Sequence, residues 1–321
     1  MKRKKTIIVC IAILALAAIV LAGASWYMLD FSLKPAYNKG RNDARMYQKV
    51  YANYPAIRPW IDSLRACQGL HDTTMVNPQG DTLHAVYIKR PKPTARVAMV
   101  VHGYTDCAVY MLPWAKLYYD LGYNVFLPEL YGNGHSAGHH QQMGWKDRLD
   151  ILQWMGIAHR RFAAKGKPSV MVVHGISMGA ATTMCVSGER TPEYVKAFVE
   201  DCGYTSVWDE FAYELKEQFG LPEFPLLPSA SALCQLRYGW SFGEASPLRQ
   251  VAKCHKPMLF IHGSADDFVP TRMVYPLYQA KPQPKMLWVA PGSRHAKSLH
   301  DHPQSYKNIV KQFLNKYHAN E

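Results

Sequence analysis

The chain has 321 residues, 48% of them apolar, enough to fill the core of one large domain with room for extra segments. Its formal net charge is +13, and Lys2, Arg3, Lys4 and Lys5 supply four of those charges. No dense Lys/Arg run follows, so the basic excess speaks against nucleic-acid recognition and at most for adhesion to an anionic membrane surface.

The first predicted element is the uncharged run Thr6–Ala24. As a helix it spans about 28 Å, just sufficient to cross a bilayer. The basic flank is expected in the cytoplasm and the remainder outside it. Ala22-Gly23-Ala24 before Ser25 also suits a secretory cleavage site. The run exceeds the usual h-region of roughly 7–15 residues, which favours an uncleaved membrane anchor over a cleaved, secreted form. The expected organisation is therefore an anchor or signal over 1–24, a helix-leaning connector over 25–69 that Pro55 and Pro59 interrupt, and one domain over 70–321.

Leu83–Lys89 reads as an antiparallel lead-in strand. Strand Ala95–Val101 precedes helix Leu112–Leu121, and strand Asn124–Pro128 precedes helix Met143–Ala164. Strand Ser169–His174 follows, then a helix, then strand Val195–Glu200. A buried strand at Pro257–Gly263, a short strand at Lys285–Ala290 and a helix at Pro303–Tyr317 complete the chain. This alternation predicts an α/β class, with a mostly parallel sheet and helices on both faces. It breaks over about 204–245, where Ser206 can cap a helix carrying the stripe Trp208, Phe211, Leu215 and Phe219. Three prolines and a second helical run to Arg237 follow, then Trp240 and Phe242.

The chemistry centres on Gly175-Ile-Ser177-Met-Gly179, between an apolar run and a helix-like run. A strand turning sharply into a helix needs small residues beside its apex, which lets Ser177 stand exposed as a nucleophile. Such a serine needs a general base and an orienting acid. Asp266 follows one strand and His295 the next, giving the order Ser, Asp, His. Asp201 ends another strand and is the rival acid. The backbone N–H groups of Met178 and of Tyr104, after Gly103, are expected to form an oxyanion hole.

His102-Gly-Tyr-Thr, Leu130-Tyr-Gly-Asn-Gly-His-Ser136, Gly175-Ile-Ser-Met-Gly179 and His262-Gly-Ser-Ala-Asp-Asp-Phe-Val-Pro270 together resemble the α/β-hydrolase superfamily. The likeness covers roughly residues 70 to 317 and is nearest in look to the serine aminopeptidase S33-type and monoglyceride-lipase-like branch. It implies an α/β-hydrolase fold and esterase, lipase or, less often, peptidase activity. Many relatives carry Arg where this chain has Tyr131, which puts the anchoring of that loop in doubt but not the triad. The resemblance also makes the 204–245 insertion a helical lid, with Trp208, Phe211, Phe219, Trp240 and Phe242 as candidate lining of an apolar acyl pocket.

The favoured expectation is a serine hydrolase of acyl or lipid-like esters, outside the cytoplasm and tied to the membrane by its N-terminal helix. The alternatives are a peptidase with the same triad, and a silent binding module. A peptidase would hold a substrate ammonium, and Asp209, Glu210, Glu214 and Glu217 are candidates, though they read more simply as a solvated helix face. His135, His139 and His140 lie in a glycine-rich loop without a metal-site pattern, and no phosphate or dinucleotide motif occurs, so neither metal nor cofactor is expected. The seven cysteines show no CxxC or metal spacing.

Overall fold

The computed structural model describes residues 2–35, 43–163 and 168–317. It contains two compact units, one formed by Met1–Lys34 with Ser206–Ala245 and the other by Pro35–Thr205 with Ser246–Glu321.

The larger unit is built on an eight-stranded sheet of order β1-β2-β4-β3-β5-β6-β7-β8. In chain order the strands are β1 (Leu70–Val76), β2 (Thr82–Ile88), β3 (Arg96–Val101), β4 (Asn124–Pro128), β5 (Val170–Ile176), β6 (Val195–Asp201), β7 (Met258–Gly263) and β8 (Lys285–Ala290). β2 runs antiparallel to both neighbours, and the remaining pairs are parallel. Polar His71, Asp72, Thr73 and Thr74 hide β1 in the sequence; at the sheet edge these side chains stay largely solvated.

One face of the sheet is covered by α2 (Asp43–Asn53), α3 (Arg58–Ala66), α4 (Leu112–Asp120) and α12 (Pro303–Lys316). Val50, Ile61, Trp114, Tyr306 and Phe313 from these helices join Ala98, Val100, Val172 and Val199 in one buried cluster. Phe126 lies between two members of that cluster, Val125 and Leu127, so strand alternation turns it to the other face. There its ring meets Trp154 of α5 (Asp147–Phe162) at 5.4 Å. α6 (Met178–Ser187) is buried along its whole length, and two of its hydroxyls turn back on its own backbone: Thr182 Oγ1 donates to the Met178 carbonyl and Ser187 Oγ to that of Met184, each at 2.8 Å. The short helices α9 (Pro247–Val251), α10 (Val274–Ala280) and α11 (Ser298–Asp301) complete the unit.

In the larger unit, the start of one helix and the role of one proline differ from the sequence expectation. α5 begins at Asp147 because Met143 adopts φ 50°, which a right-handed helix does not admit. The expected end at Ala164 lies outside the described residues. Pro59 sits in the first turn of α3, where its missing N–H costs nothing, so it starts a helix rather than breaking one.

In the smaller unit α1 runs from Lys2 to Ser32, past the expected boundary at residue 24. It is long and apolar enough to cross a membrane, and its most apolar stretch is wholly unburied. α7 (Val207–Phe219) is capped as expected, Ser206 Oγ accepting from the Asp209 N–H at 3.0 Å. α8 (Leu226–Tyr238) follows. Trp240 and Phe242 are fully buried here, and Phe242 meets Phe211 edge-on at 4.9 Å. α1 adds Ser25 and Leu29, four apart and buried on one helix face, and Leu33, just past its end, is buried as well.

Candidate active site

Ser177 sits between β5 and α6 at φ 57°, ψ −120°. A side chain held there costs on the order of 1–3 kcal/mol and persists because its surroundings over-determine it. The Ser177 N–H donates to the Asp201 carbonyl at 2.8 Å. A Cβ on Gly175 would lie 1.9 Å from the Gly179 carbonyl oxygen, and one on Gly179 would lie 2.1 Å from that of Val101. The Gly-x-Ser-x-Gly spacing is thus a steric requirement of this turn.

The expected serine, histidine and acid come together. His295 Nε2 lies 2.8 Å from Ser177 Oγ, and His295 Nδ1 lies 2.9 Å from Asp266 Oδ2. Asp266 Oδ1 accepts the N–H groups of Phe268 and Val269 at 3.1 and 3.0 Å. His262 Nε2 stands 3.3 Å from Asp266 Oδ2 and 2.9 Å from the Val269 carbonyl. Burial alone would raise the Asp266 carboxyl, but the hydrogen bonds from His262 and His295 outweigh it and hold the group at about 2. The neighbouring Asp267 forms an exposed ion pair with Arg294.

Asp201, the rival acid, faces another way. Its Oδ2 accepts from Tyr306 Oη at 2.7 Å, and burial pushes its carboxyl up to about 6. It belongs to a buried polar chain in which Trp114 Nε1 donates to Tyr306 Oη at 3.2 Å.

The loop after β3 lies against the serine, since a Cβ on Gly103 would fall 3.3 Å from Ser177 Cβ. Tyr104 is the next residue of that loop, and Met178 opens α6 immediately after Ser177. His102 is buried, Nδ1 donating to the Gly103 carbonyl at 2.8 Å and Nε2 accepting the Leu130 N–H at 2.9 Å. It therefore ties the 102–105 loop to the 130–136 loop. Glu129 adds a second tie, accepting the N–H groups of Ala108 at 3.1 Å and His135 at 2.6 Å and meeting His84 Nδ1 at 2.9 Å. Tyr131, where relatives of the resemblance carry Arg, is buried with its ring 5.2 Å from that of His140.

Sequence reasoning missed Asp106. Burial pushes its carboxyl up to about 6 although Lys49 stands 3.7 Å away. Its position three residues beyond Gly103 was the available signal.

The candidate pocket residues divide. Trp240 and Phe242 fill the core of the smaller unit instead of lining open space, which corrects their expected role. Trp208 and Phe211 are half-buried, with Trp208 Nε1 donating to Glu223 at 3.2 Å, and Phe219 is exposed. Glu210, expected on a solvated face, is buried. His135 Nε2 lies 3.2 Å from Asp43 Oδ1. Among the described residues, Cys202, Asp266 and His295 bring ligand-type atoms within 4.8 Å of one another, and two of these already hydrogen-bond each other.

Glu200 supplies a pH test of the region. It is buried, accepts the Gly203 N–H at 3.0 Å, and burial pushes its carboxyl from 4.5 up to about 8. The folded state therefore favours the neutral acid. That contribution to stability is complete below about pH 4.5 and is lost as pH rises towards 8. Glu200→Gln keeps the accepting carbonyl without the charge. It is expected to raise Tm at pH 8, by about 2–4 °C per kcal/mol recovered, and to leave Tm at pH 4 unchanged. A thermal melt at both pH values checks this; equal shifts at both would refute the burial argument.

With this geometry in place, comparison with known proteins is informative. Residues 110–321, including Ser177, Asp266 and His295, match the model of the prolyl oligopeptidase family, Peptidase_S9. The chain is 31% identical over 228 residues to the uncharacterized protein YqkD of Bacillus subtilis, covering 71% of this chain and 74% of that protein. Among solved structures it is similar to the Pyrococcus furiosus esterase Pf2001, with TM-score 0.61, 21% identity, and coverage of 79% of this chain and 95% of that one. It is also similar to the Pyrococcus horikoshii acylaminoacyl peptidase, with TM-score 0.57, 18% identity, and coverage of 78% and 42%. The α/β-hydrolase resemblance thus holds for the fold, and the family whose model matches is prolyl oligopeptidase. The chain belongs to the prolyl oligopeptidase family and is a serine hydrolase of the α/β-hydrolase type.

Proposed function

We propose that this protein is a membrane-anchored hydrolase of carboxylic esters, with acyl or lipid-like substrates, and that Ser177, His295 and Asp266 are its catalytic triad. The observation that carries the proposal is the unbroken relay from Ser177 Oγ through both nitrogens of His295 to Asp266. The Asp266 carboxylate holds the proton of the imidazole on Nδ1, leaving Nε2 free to accept. Ser177 Oγ attacks the ester carbonyl carbon as Nε2 takes its proton. The N–H groups of Tyr104 and Met178 stabilise the oxyanion. The imidazolium then protonates the departing alcohol. Water, deprotonated by Nε2, attacks the acyl-enzyme, and its collapse returns Ser177 as the free hydroxyl with release of the acid.

One feature favours an ester: the chain matches nearly the full length of the esterase Pf2001 but less than half of the acylaminoacyl peptidase. A second reading, a peptidase, is favoured by the family name and by Asp106, a half-buried carboxyl on the loop beside Ser177 that is suited to a substrate ammonium. A paired assay separates them. Turnover is expected on a ladder of acyl esters and not on aminoacyl arylamides. Arylamide turnover that Asp106→Asn abolishes would establish the peptidase instead. A membrane-impermeant fluorophosphonate is expected to label the protein in intact cells, with the label in the membrane pellet. Labelling only after lysis would reverse the topology, and an N-terminus at Ser25 would mean a cleaved, secreted form.

A further inference from the structure

We infer that the 206–245 insertion seats on the bilayer surface beside α1, with Leu236, Phe219, Leu221 and Phe224 reaching into the interfacial layer of the leaflet from which α1 emerges. The inference rests on the reading of α1 as a membrane anchor. It adds that a second, sequence-distant segment touches lipid.

The argument begins with helix length. α1 has 31 residues, about 46 Å, whereas a hydrocarbon core of about 30 Å takes about 20 of them. Measured from Thr6, the core ends near Ser25, and the last turns continue into the head-group layer. Side chains there suit an interface. Trp26 is 50% exposed, and Tyr27 and Phe31 are exposed and stacked on each other at 6.4 Å. Aromatic residues of this kind favour the membrane–water boundary.

The insertion is fixed to this same stretch. Arg237 pairs with Asp30 at 2.8 Å and lies over the Trp26 ring at 3.9 Å. Phe219 meets Phe31 edge-on at 5.7 Å. Trp26 to Phe31 spans about 8 Å along the helix, so both contacts fall near the head-group layer, which extends about 5–7 Å beyond the core on each side. The insertion is thus held at membrane depth from both of its helices.

What it exposes there is apolar. Leu236, adjacent to Arg237, is 83% exposed. Phe224, in the loop after Phe219, is 76% exposed, and Leu221 in that loop is exposed as well. In the same unit Trp240, Phe242, Leu227 and Leu215 are buried, so the unit already has a core and these four side chains lie outside it. Exposed apolar groups on a unit that also holds a spanning helix match a lipid surface.

The test uses the full chain in nanodiscs of phosphatidylcholine and phosphatidylglycerol. A benzophenone amino acid replaces Leu236, Phe224, Leu14 or, as control, Leu149, which is exposed on α5 in the other unit. After irradiation, mass spectrometry is expected to find phospholipid adducts at 14, 236 and 224 and none at 149. An adduct at 14 without one at 236 would overturn the inference and leave the anchor standing. No adduct at 14 would remove the anchor and the inference together. Adducts at 149 equal to those at 236, or cross-links from 236 to a second copy of the chain, would also overturn it.

Discussion

Ser177→Ala is expected to lower turnover of an ester substrate by about 10⁶-fold while the protein remains folded. The size follows from what is lost and what is kept. The proposed nucleophile disappears, whereas the proposed oxyanion donors at Tyr104 and Met178 are backbone groups that remain. Alanine keeps a Cβ at φ 57°, so the strain of the turn is unchanged, and the Ser177 N–H bond to Asp201 persists. The folded state loses one side-chain hydrogen bond to His295, worth about 1 kcal/mol, so Tm is expected to fall by no more than about 4 °C. Steady-state kinetics with a thermal melt decide the matter. Substantial residual turnover by a folded variant would remove Ser177 as the nucleophile.

Asp266→Asn is expected to lower turnover by about 10⁴-fold. The local contacts explain both the size and the specificity. The Asn carbonyl can still accept the N–H groups of Phe268 and Val269, so the loop holds its shape. The amide NH₂ then takes the place of Oδ2, facing His295 Nδ1 and His262 Nε2. An amide donor cannot accept the Nδ1 proton. The imidazole is driven to the tautomer protonated on Nε2, which cannot receive the proton of Ser177. Asp201→Asn is expected to change turnover by less than about 10-fold, because Tyr306 Oη can still donate to the Asn carbonyl and His295 is bonded to Asp266 instead. Parallel kinetics on the two variants test the assignment, and a reversed order of effects would make Asp201 the acid.

The reach of the sequence followed its periodicities and steric rules. β5 and β7 are buried residue by residue and open on the apolar runs Val170–Val173 and Met258–Ile261, since a parallel strand covered on both faces has no solvated side. The serine turn was legible because Gly175 and Gly179 stand where any Cβ would meet backbone at about 2 Å. Ser206 was legible as a cap because its hydrogen bond reaches only three residues along the chain. The order of Ser177, Asp266 and His295 was legible because each lies just past the end of its own strand.

Tertiary structure decided what depended on distance through space. Asp201 ends one strand and Asp266 follows another, and only the direction of each carboxylate separates them: one meets Tyr306, the other His295. Met143 and the edge strand β1 escaped the pattern because one left-handed residue and one solvated edge carry no periodic signal. The aromatics of the insertion were equivalent by type, and burial alone sorted Trp240 and Phe242 into the core and left Phe219 exposed. Leu29 and Leu33 fell in the helix-leaning connector, where residue type alone names no partner. Their burial in one compact unit with a segment some two hundred residues away is a packing choice, which composition cannot encode because every apolar face is attractive until a partner of matching shape occupies it.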